Sequence, residues 1–450
     1  DGKKQLINDI LTVFGIGALV LFQFAVQFGL QSSGVPLPPS VVGLVLLTIF
    51  LLSTPSWSDT AAEVMQPAVG FLDRWIGLIF VPYMVGVALT AVPSPIQAVY
   101  SVLFIVVSFF ATMIGSASIM TALMPASSSS SSSSSPASPA KEELQLAPSS
   151  NGSNQELMSE SESDLPSNSE QKKGETAWAE WYAGLFCFLA GAPIIQDRGA
   201  LPIEFSYAPA FVIATIIAYK SVSKIPSKFG ILARMPTITC GIIMVLVCGL
   251  FGAVALDSGS WLAGVQVYMD GAGMFLLKFV TPAVIGLAFK VYECKNELWR
   301  NLIPFVTTCC VVVPLVMLSA ASTIRFLGLA PDLAYALVGR HTTTAIAVPI
   351  GQSLGASAGV VVTCTVLTAI CGFAFGRDLL DRMGFTNPSA RGAAVGATYH
   401  AAGAAQLASE EPQAAAAASV MFAMIGVFGA ILMATDPFRK LLFAVAGLPA

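Results

Sequence analysis

The chain has 450 residues, of which 55% are hydrophobic and only 11% charged, with a mean hydropathy of +0.76. A soluble domain carries about 25% charged residues, so a soluble enzyme is set aside and an all-α polytopic membrane protein is expected. The formal net charge of −4 is local, because residues 125–177 hold eight acidic side chains against three lysines, and no basic tract points to nucleic acid.

The chain opens at Asp1 rather than methionine, which fits a processed N-terminus, such as one left by a transit peptide, or a shortened chain. Eight cysteines lie mostly within apolar runs and form no C-x-x-C pair, so they read as small membrane-helix residues. With only two histidines a His-based metal site is not expected, and neither is a cofactor.

Lys3 and Lys4 precede a first apolar span at about 10–30, and a Pro-rich turn leads to a second at about 41–52. A third is predicted at about 68–89 and a fourth at about 96–123. These four carry almost no buried charge and read as packing or scaffold material. Residues 125–176, which open with unbroken serine from Ser127 to Ser135, cannot bury enough apolar surface to order themselves. They are expected to be a disordered, Ser-rich acidic linker between a membrane domain at 1–124 and a second at 177–450.

Trp178, Trp181 and Tyr182 open the second domain with an aromatic set suited to a membrane interface. Spans follow at about 180–196, 206–220, 235–256 and 261–289. Counting crossings places Lys220, Lys224, Lys228 and Arg234 on the same side as Lys3 and Lys4, and then Lys290, Lys295 and Arg300 as well. Segments near 301–325, 333–352, 355–376, 389–407 and 412–434 are either full spans or re-entrant pieces, for about twelve membrane segments in all. Glu410 and Glu411 read as a loop or helix start, and the charges at 196–198 and 377–382 as interfacial ion pairs.

Three stretches could carry chemistry. Residues 336–355 are apolar at their ends but hold Arg340, His341, Thr342, Thr343 and Thr344 at the centre, followed by Pro349 and Gly351. An arginine at mid-bilayer costs roughly 2.5–3.5 kcal/mol even on the lenient insertion scale. That cost points to a helix broken inside the membrane, whose amides and hydroxyls converge on a small ligand. The plainer alternative has the threonines bonding back to their own helix, with Arg340 at the interface. Residues 391–407 place His400 in an alanine-rich run punctuated by Gly392, Gly396 and Gly403, which lets another backbone approach closely. Residues 281–288, with Thr281 and Pro282, resemble 344–350 in setting threonine and proline in a short β-branched run. Paired interrupted helices of this kind are the pointer to inverted-repeat transporters.

The first four spans resemble the LrgA/CidA family, through Val35-Pro-Leu-Pro-Pro-Ser-Val-Val-Gly43 and Phe80-Val-Pro-Tyr-Met-Val-Gly86. Ser40 stands where that family often has glycine. The second domain resembles the LrgB/CidB family through Thr281-Pro-Ala-Val, Thr342-Thr-Thr-Ala-Ile-Ala, Ala390-Arg-Gly and His400-Ala-Ala-Gly403. Both halves in one chain, joined by a serine-rich linker, is the arrangement of the plastidal members. The resemblance implies a four-helix LrgA-like scaffold and an LrgB-like transport domain. It further implies a carrier in the chloroplast inner envelope that exports glycolate and imports glycerate during photorespiration.

Both substrates are small anions with a carboxylate and an adjacent hydroxyl. A midplane site for them needs positive potential and hydroxyl partners, and Arg340 with Thr342–Thr344 offers the right types. His341 or His400 could carry a coupling proton. Thr281, Pro282 and Gly403 complete the expected substrate-binding set. The alternatives are a holin-like pore or regulator of lysis, as proposed for the bacterial relatives, and a pyruvate or lactate carrier of the same architecture. Membrane lipid is the expected surrounding, and a homodimer is one assembly that the residues do not decide.

Overall fold

A computed structural model of the chain describes residues 2–33, 38–90, 93–124, 181–193, 201–225, 236–256 and 258–447. The expected linker at 125–176 lies outside them, as do Trp178, Lys228, Arg234 and the charges at 196–198. Every element among the described residues is helical. In chain order these are α1 (Gly2–Ser33), α2 (Pro39–Ser53), α3 (Pro55–Ile79), α4 (Val81–Gly86), α5 (Pro95–Leu123), α6 (Trp181–Pro193), α7 (Ile203–Ser223) and α8 (Pro236–Ala255). There follow α9 (Trp261–Glu293), α10 (Lys295–Arg300), α11 (Leu302–Leu327), α12 (Pro331–Val338), α13 (Thr344–Ser353), α14 (Ala358–Arg382), α15 (Pro388–Glu410), α16 (Pro412–Ala434) and α17 (Asp436–Ala446).

Nine helices among the described residues are long and apolar enough to cross a bilayer, and α2 and α6 are shorter apolar helices. With the two broken segments α12–α13 and α15, this agrees with about twelve membrane segments. The third span differs from expectation. Its helix begins at Pro55, well ahead of residue 68, and carries Asp59 and Asp73 fourteen positions apart, on one face of an α-helix. Asp59 binds Lys295 (2.9 Å) and the Tyr292 hydroxyl (2.7 Å), and Asp73 binds Lys290 (2.7 Å). Hydrogen bonds with Tyr292 and Asp59 hold the Lys295 ammonium above its ordinary range. Half-exposed pairs like these contribute at most about 1 kcal/mol each, so they set register more than stability.

These contacts also define one face of the protein. Lys220 lies over the rings of Trp75 and Trp181, 5.5 and 5.4 Å from their centroids. Glu297 accepts from Ser389 (2.6 Å) and Asn301 (2.7 Å), which brings the start of α15 to the face of Lys290–Arg300. From there α11, at 26 residues about 39 Å long, reaches the opposite face and ends at Gly328 in the left-handed conformation (φ 65°). On that face Tyr335 packs against Phe443 of α17, with ring centroids 5.8 Å apart.

Both broken segments double back. Asp332 accepts from the amide of Ser357 at 2.7 Å, although 25 positions separate them, a distance of about 37 Å along a straight helix. A Cβ at Gly339 would touch Ala347 across the turn. Arg391 binds Glu411 at 2.6 and 2.7 Å across 20 positions, about 30 Å if the helix ran straight. The reversal sits at Tyr399 (φ −126°, ψ 30°) and His400 (φ 49°, ψ −138°), and it brings Gly403 against Val395 and Tyr399. Segments 333–352 and 389–407 are therefore re-entrant hairpins rather than full spans. Because α14 crosses between them, the hairpins enter from opposite faces. A crossing helix followed by a hairpin, α11 with α12–α13 and then α14 with α15, is thus an inverted repeat. Residues 281–288, the expected counterpart of 344–350, follow a turn at Lys278–Phe279 that interrupts α9, and they continue as a helix to Glu293 without doubling back.

Small residues allow the packing. Gly392 and Gly396 let the first arm of α15 approach the backbone carbonyls of Ala414 and Ala418 on α16, the close approach expected from that spacing. The two halves share one apolar core, which includes Leu44 and Phe109 from the first with Ile285, Phe305 and Tyr399 from the second. Gly43 leaves room for Ile285, and the Phe80–Gly86 stretch meets the second half where Met84 packs on Gly241.

The topology has a direct check. In a cysteine-free background, Trp299→Cys and Asp436→Cys are expected to react with a membrane-impermeant maleimide from opposite sides of oriented vesicles. Labelling of both from one side would contradict the inverted arrangement.

Candidate functional site

The two hairpins stop halfway. Their arms hold eight residues (α12), ten (α13), twelve before His400 and ten after it, or roughly 12–18 Å at 1.5 Å per residue. A hydrocarbon core of about 30 Å therefore places both tips near its middle. At one tip are Arg340 and His341, each 0% exposed, and at the other is His400 at 6%. His341 and His400 are near enough for their charges to interact.

None of the polar atoms of these three side chains has a hydrogen-bond partner: not Nε, Nη1 or Nη2 of Arg340, nor either ring nitrogen of either histidine. The carbonyls of Val338 and Thr365 lie beside His341 and His400 respectively, without hydrogen-bond geometry. Among the described residues no carboxylate comes within ion-pair distance of Arg340. Its neighbours are the Phe104 ring, whose centroid is 5.4 Å from Cζ, and the thiols of Cys364 and Cys371 on α14. A buried charge without partners costs several kcal/mol, and buried polar groups are almost always paired. Seven orphaned nitrogens at the two tips make the tips the candidate site, with donors suited to a ligand that carries acceptor oxygens.

The local sequence explains the turns. At the first tip the Thr342 amide and hydroxyl both reach the Gly339 carbonyl (2.9 and 2.8 Å), and the Thr343 carbonyl accepts from Ile346 and Ala347 (2.8 Å each). The Thr342 hydroxyl hydrogen is thus used in the turn, as in the plainer alternative, while Arg340 is buried rather than interfacial. Thr343 is the N-cap of α13 without a side-chain capping bond, so the first amides of that helix add positive potential at the tip. At the second tip His400 is the one non-glycine residue with positive φ among those described. Such a conformation costs on the order of 1–3 kcal/mol for a side chain, which argues that the imidazole has a use there. Beneath it the Tyr399 ring fills the space left by Gly372 and Gly376 in a π-bulge of α14, and its hydroxyl donates to Gln406 (3.1 Å).

The structure therefore brings together Arg340, His341 and His400, with Thr342–Thr344 at the same tip and Gly403 in the second arm against Tyr399. Thr281 and Pro282 lie in the last stretch of α9, which meets the first half where Ile285 reaches Gly43 and Gly286 faces Leu19 and Val69. Two features escaped the sequence reading. One is Phe104, from a helix expected to be scaffold. The other is the staple at the base of the second hairpin, where Arg391 also binds Asp381 (2.7 Å) and Arg377 reaches Glu411 (3.2 Å). A cavity of ≈ 520 Å³ opens beside that staple, lined by Arg377, Thr386, Arg391 and Gln413 among others. It does not include the hairpin tips, and Arg377 and Arg391 are already paired with carboxylates, so the candidate site is assigned to the tips.

Comparison with known proteins finds two family models along the chain. The LrgA family model matches residues 23–120 and the LrgB-like family model matches residues 215–436. The plastidal glycolate/glycerate translocator 1 of Arabidopsis thaliana is 23% identical over 99% of this chain and 83% of its own length. Holin-like protein CidB of Staphylococcus epidermidis is 25% identical over 53% of this chain and 99% of its own. No solved structure matches.

The strained turn yields a stability test. His400→Gly is expected to be more stable than His400→Ala by about 1 kcal/mol, and so to melt at a higher temperature, because alanine keeps the strain that glycine relieves. Thermal melting of the two variants in detergent with equal or reversed order would contradict the turn.

Proposed function

Because the chain joins an LrgA family segment to an LrgB-like family segment in one multi-pass membrane protein, we propose that it is a secondary carrier of short 2-hydroxycarboxylates. It exports glycolate and imports glycerate across the chloroplast inner envelope, in the service of photorespiration. The single observation that carries this reading is the unpartnered Arg340 guanidinium at the meeting point of two half-membrane hairpins.

An Arg fork matches a carboxylate bidentately. The first amides of α13 add to the potential, and the imidazoles of His341 and His400 can accept from or donate to the substrate hydroxyl. Thr343 and Thr344 supply further oxygens, and Thr281, Pro282 and Gly403 act around this centre through the helices that hold it. Substrate binding neutralises the buried cation, and inverted repeats around a midplane site provide alternating access. The name of the Arabidopsis relative supports the substrate pair. Residues 1–124 form the LrgA-like membrane domain, 125–176 the linker and 177–450 the LrgB-like transport domain. A homodimer in the membrane is compatible with this scheme.

A second reading, a holin-like pore, is favoured by the match to CidB, but a pore does not require the buried guanidinium. Purified protein in glycerate-loaded liposomes is expected to take up labelled glycolate saturably. The Arg340→Ala, His400→Ala double variant should lose at least about 10-fold to 100-fold in rate, since hydrogen bonds to charged groups contribute ~1.5–3 kcal/mol. Unimpaired exchange by that variant would remove the site assignment, and non-saturable uptake indifferent to which glycerate enantiomer is loaded inside would favour the pore.

A further inference from the structure

We propose that Phe104, on a helix of the first half, is a substrate-positioning residue: its ring holds the Arg340 guanidinium in the orientation that receives the substrate carboxylate. The proposal rests on the site assignment above. Arg340 is fully buried and no hydrogen bond fixes its head group. What does orient it is the Phe104 ring, with its centroid 5.4 Å from Cζ. A cation over an aromatic face gains more when both are desolvated than at an exposed surface. A ring on one side of the guanidinium takes none of its five N–H donors, so their fixed fork stays available to a carboxylate.

The same helix reaches the second hairpin. Phe109, five positions on, packs against Tyr399 with centroids 6.2 Å apart, next to the turn at His400. Helix α5 thus touches both tips, through Phe104 on one and Phe109 on the other. The first half is part of the substrate site as well as a scaffold, and a tip that moves relative to α5 changes how Arg340 is presented.

The test compares Phe104→Leu, which keeps an apolar side chain without a π face, with Phe104→Tyr, which keeps the ring. In proteoliposomes Phe104→Leu is expected to raise KM for labelled glycolate on the order of tenfold with kcat nearly unchanged, while Phe104→Tyr stays close to the parent. Melting temperatures of the parent, Phe104→Leu, Arg340→Gln and the double variant give a second readout that involves no transport. Phe104→Leu should lower the melting temperature in the parent and have less effect when Arg340 is already replaced. Equal effects in both backgrounds, or a Phe104→Leu protein with parental KM, would overturn the proposal. If Arg340→Gln exchanges glycolate normally, the site assignment falls and this proposal with it. If Arg340→Gln is inactive and Phe104→Leu is normal, only this proposal falls.

Discussion

A guanidinium without a carboxylate, buried at half-membrane depth, is the constraint on which the rest of the structure depends. Removing a charge from water costs several kcal/mol even after relaxation, and no acidic side chain among the described residues offsets it at Arg340. The chain reaches this position by ending helices inside the membrane, which exposes backbone amides and turn carbonyls that only a protein-lined interior tolerates. Two hairpins from opposite faces satisfy that requirement together, because each tip is covered by α5 and by α14.

Holding the hairpins is a separate task from filling their tips, and different chemistry performs it. At the bases, charges are paired: Arg391 with Glu411 and Asp381, and Asp332 with the Ser357 amide. At the tips they are not. Small residues let the arms lie against their neighbours, as Gly392 and Gly396 do on α16 and Gly403 does on Tyr399. The π-bulge at Gly372–Gly376 makes room for the Tyr399 ring beside the reversal. Paired charges at the surface and unpaired ones at the centre are the distribution expected of a carrier whose cargo is an anion.

The polar centre was legible in the sequence because it is expensive there: Arg340, His341 and His400 stand out against apolar surroundings, and the resemblance of their motifs agreed. The hairpins were not legible. An arm of eight to twelve apolar residues has the hydropathy of half a span, and the reversal at Tyr399–His400 carries neither glycine nor proline to announce it. Thr281–Pro282 resembles Thr344–Pro349 in composition and follows a break in its helix, whereas α15 shares the hairpin geometry of α12–α13 rather than its residues. Phe104 was invisible for a simpler reason. With 28 phenylalanines in the chain, nothing local distinguishes the one that meets Arg340.

The central claim is that the anion is held between the hairpin tips. An electron cryo-microscopy map of the protein saturated with glycolate, compared with one recorded without it, tests this most directly. The account predicts added density bridging the Arg340 guanidinium and the tip at His400. Added density in the cavity beside Arg377 and Arg391, with the tips unchanged between the two maps, would contradict it.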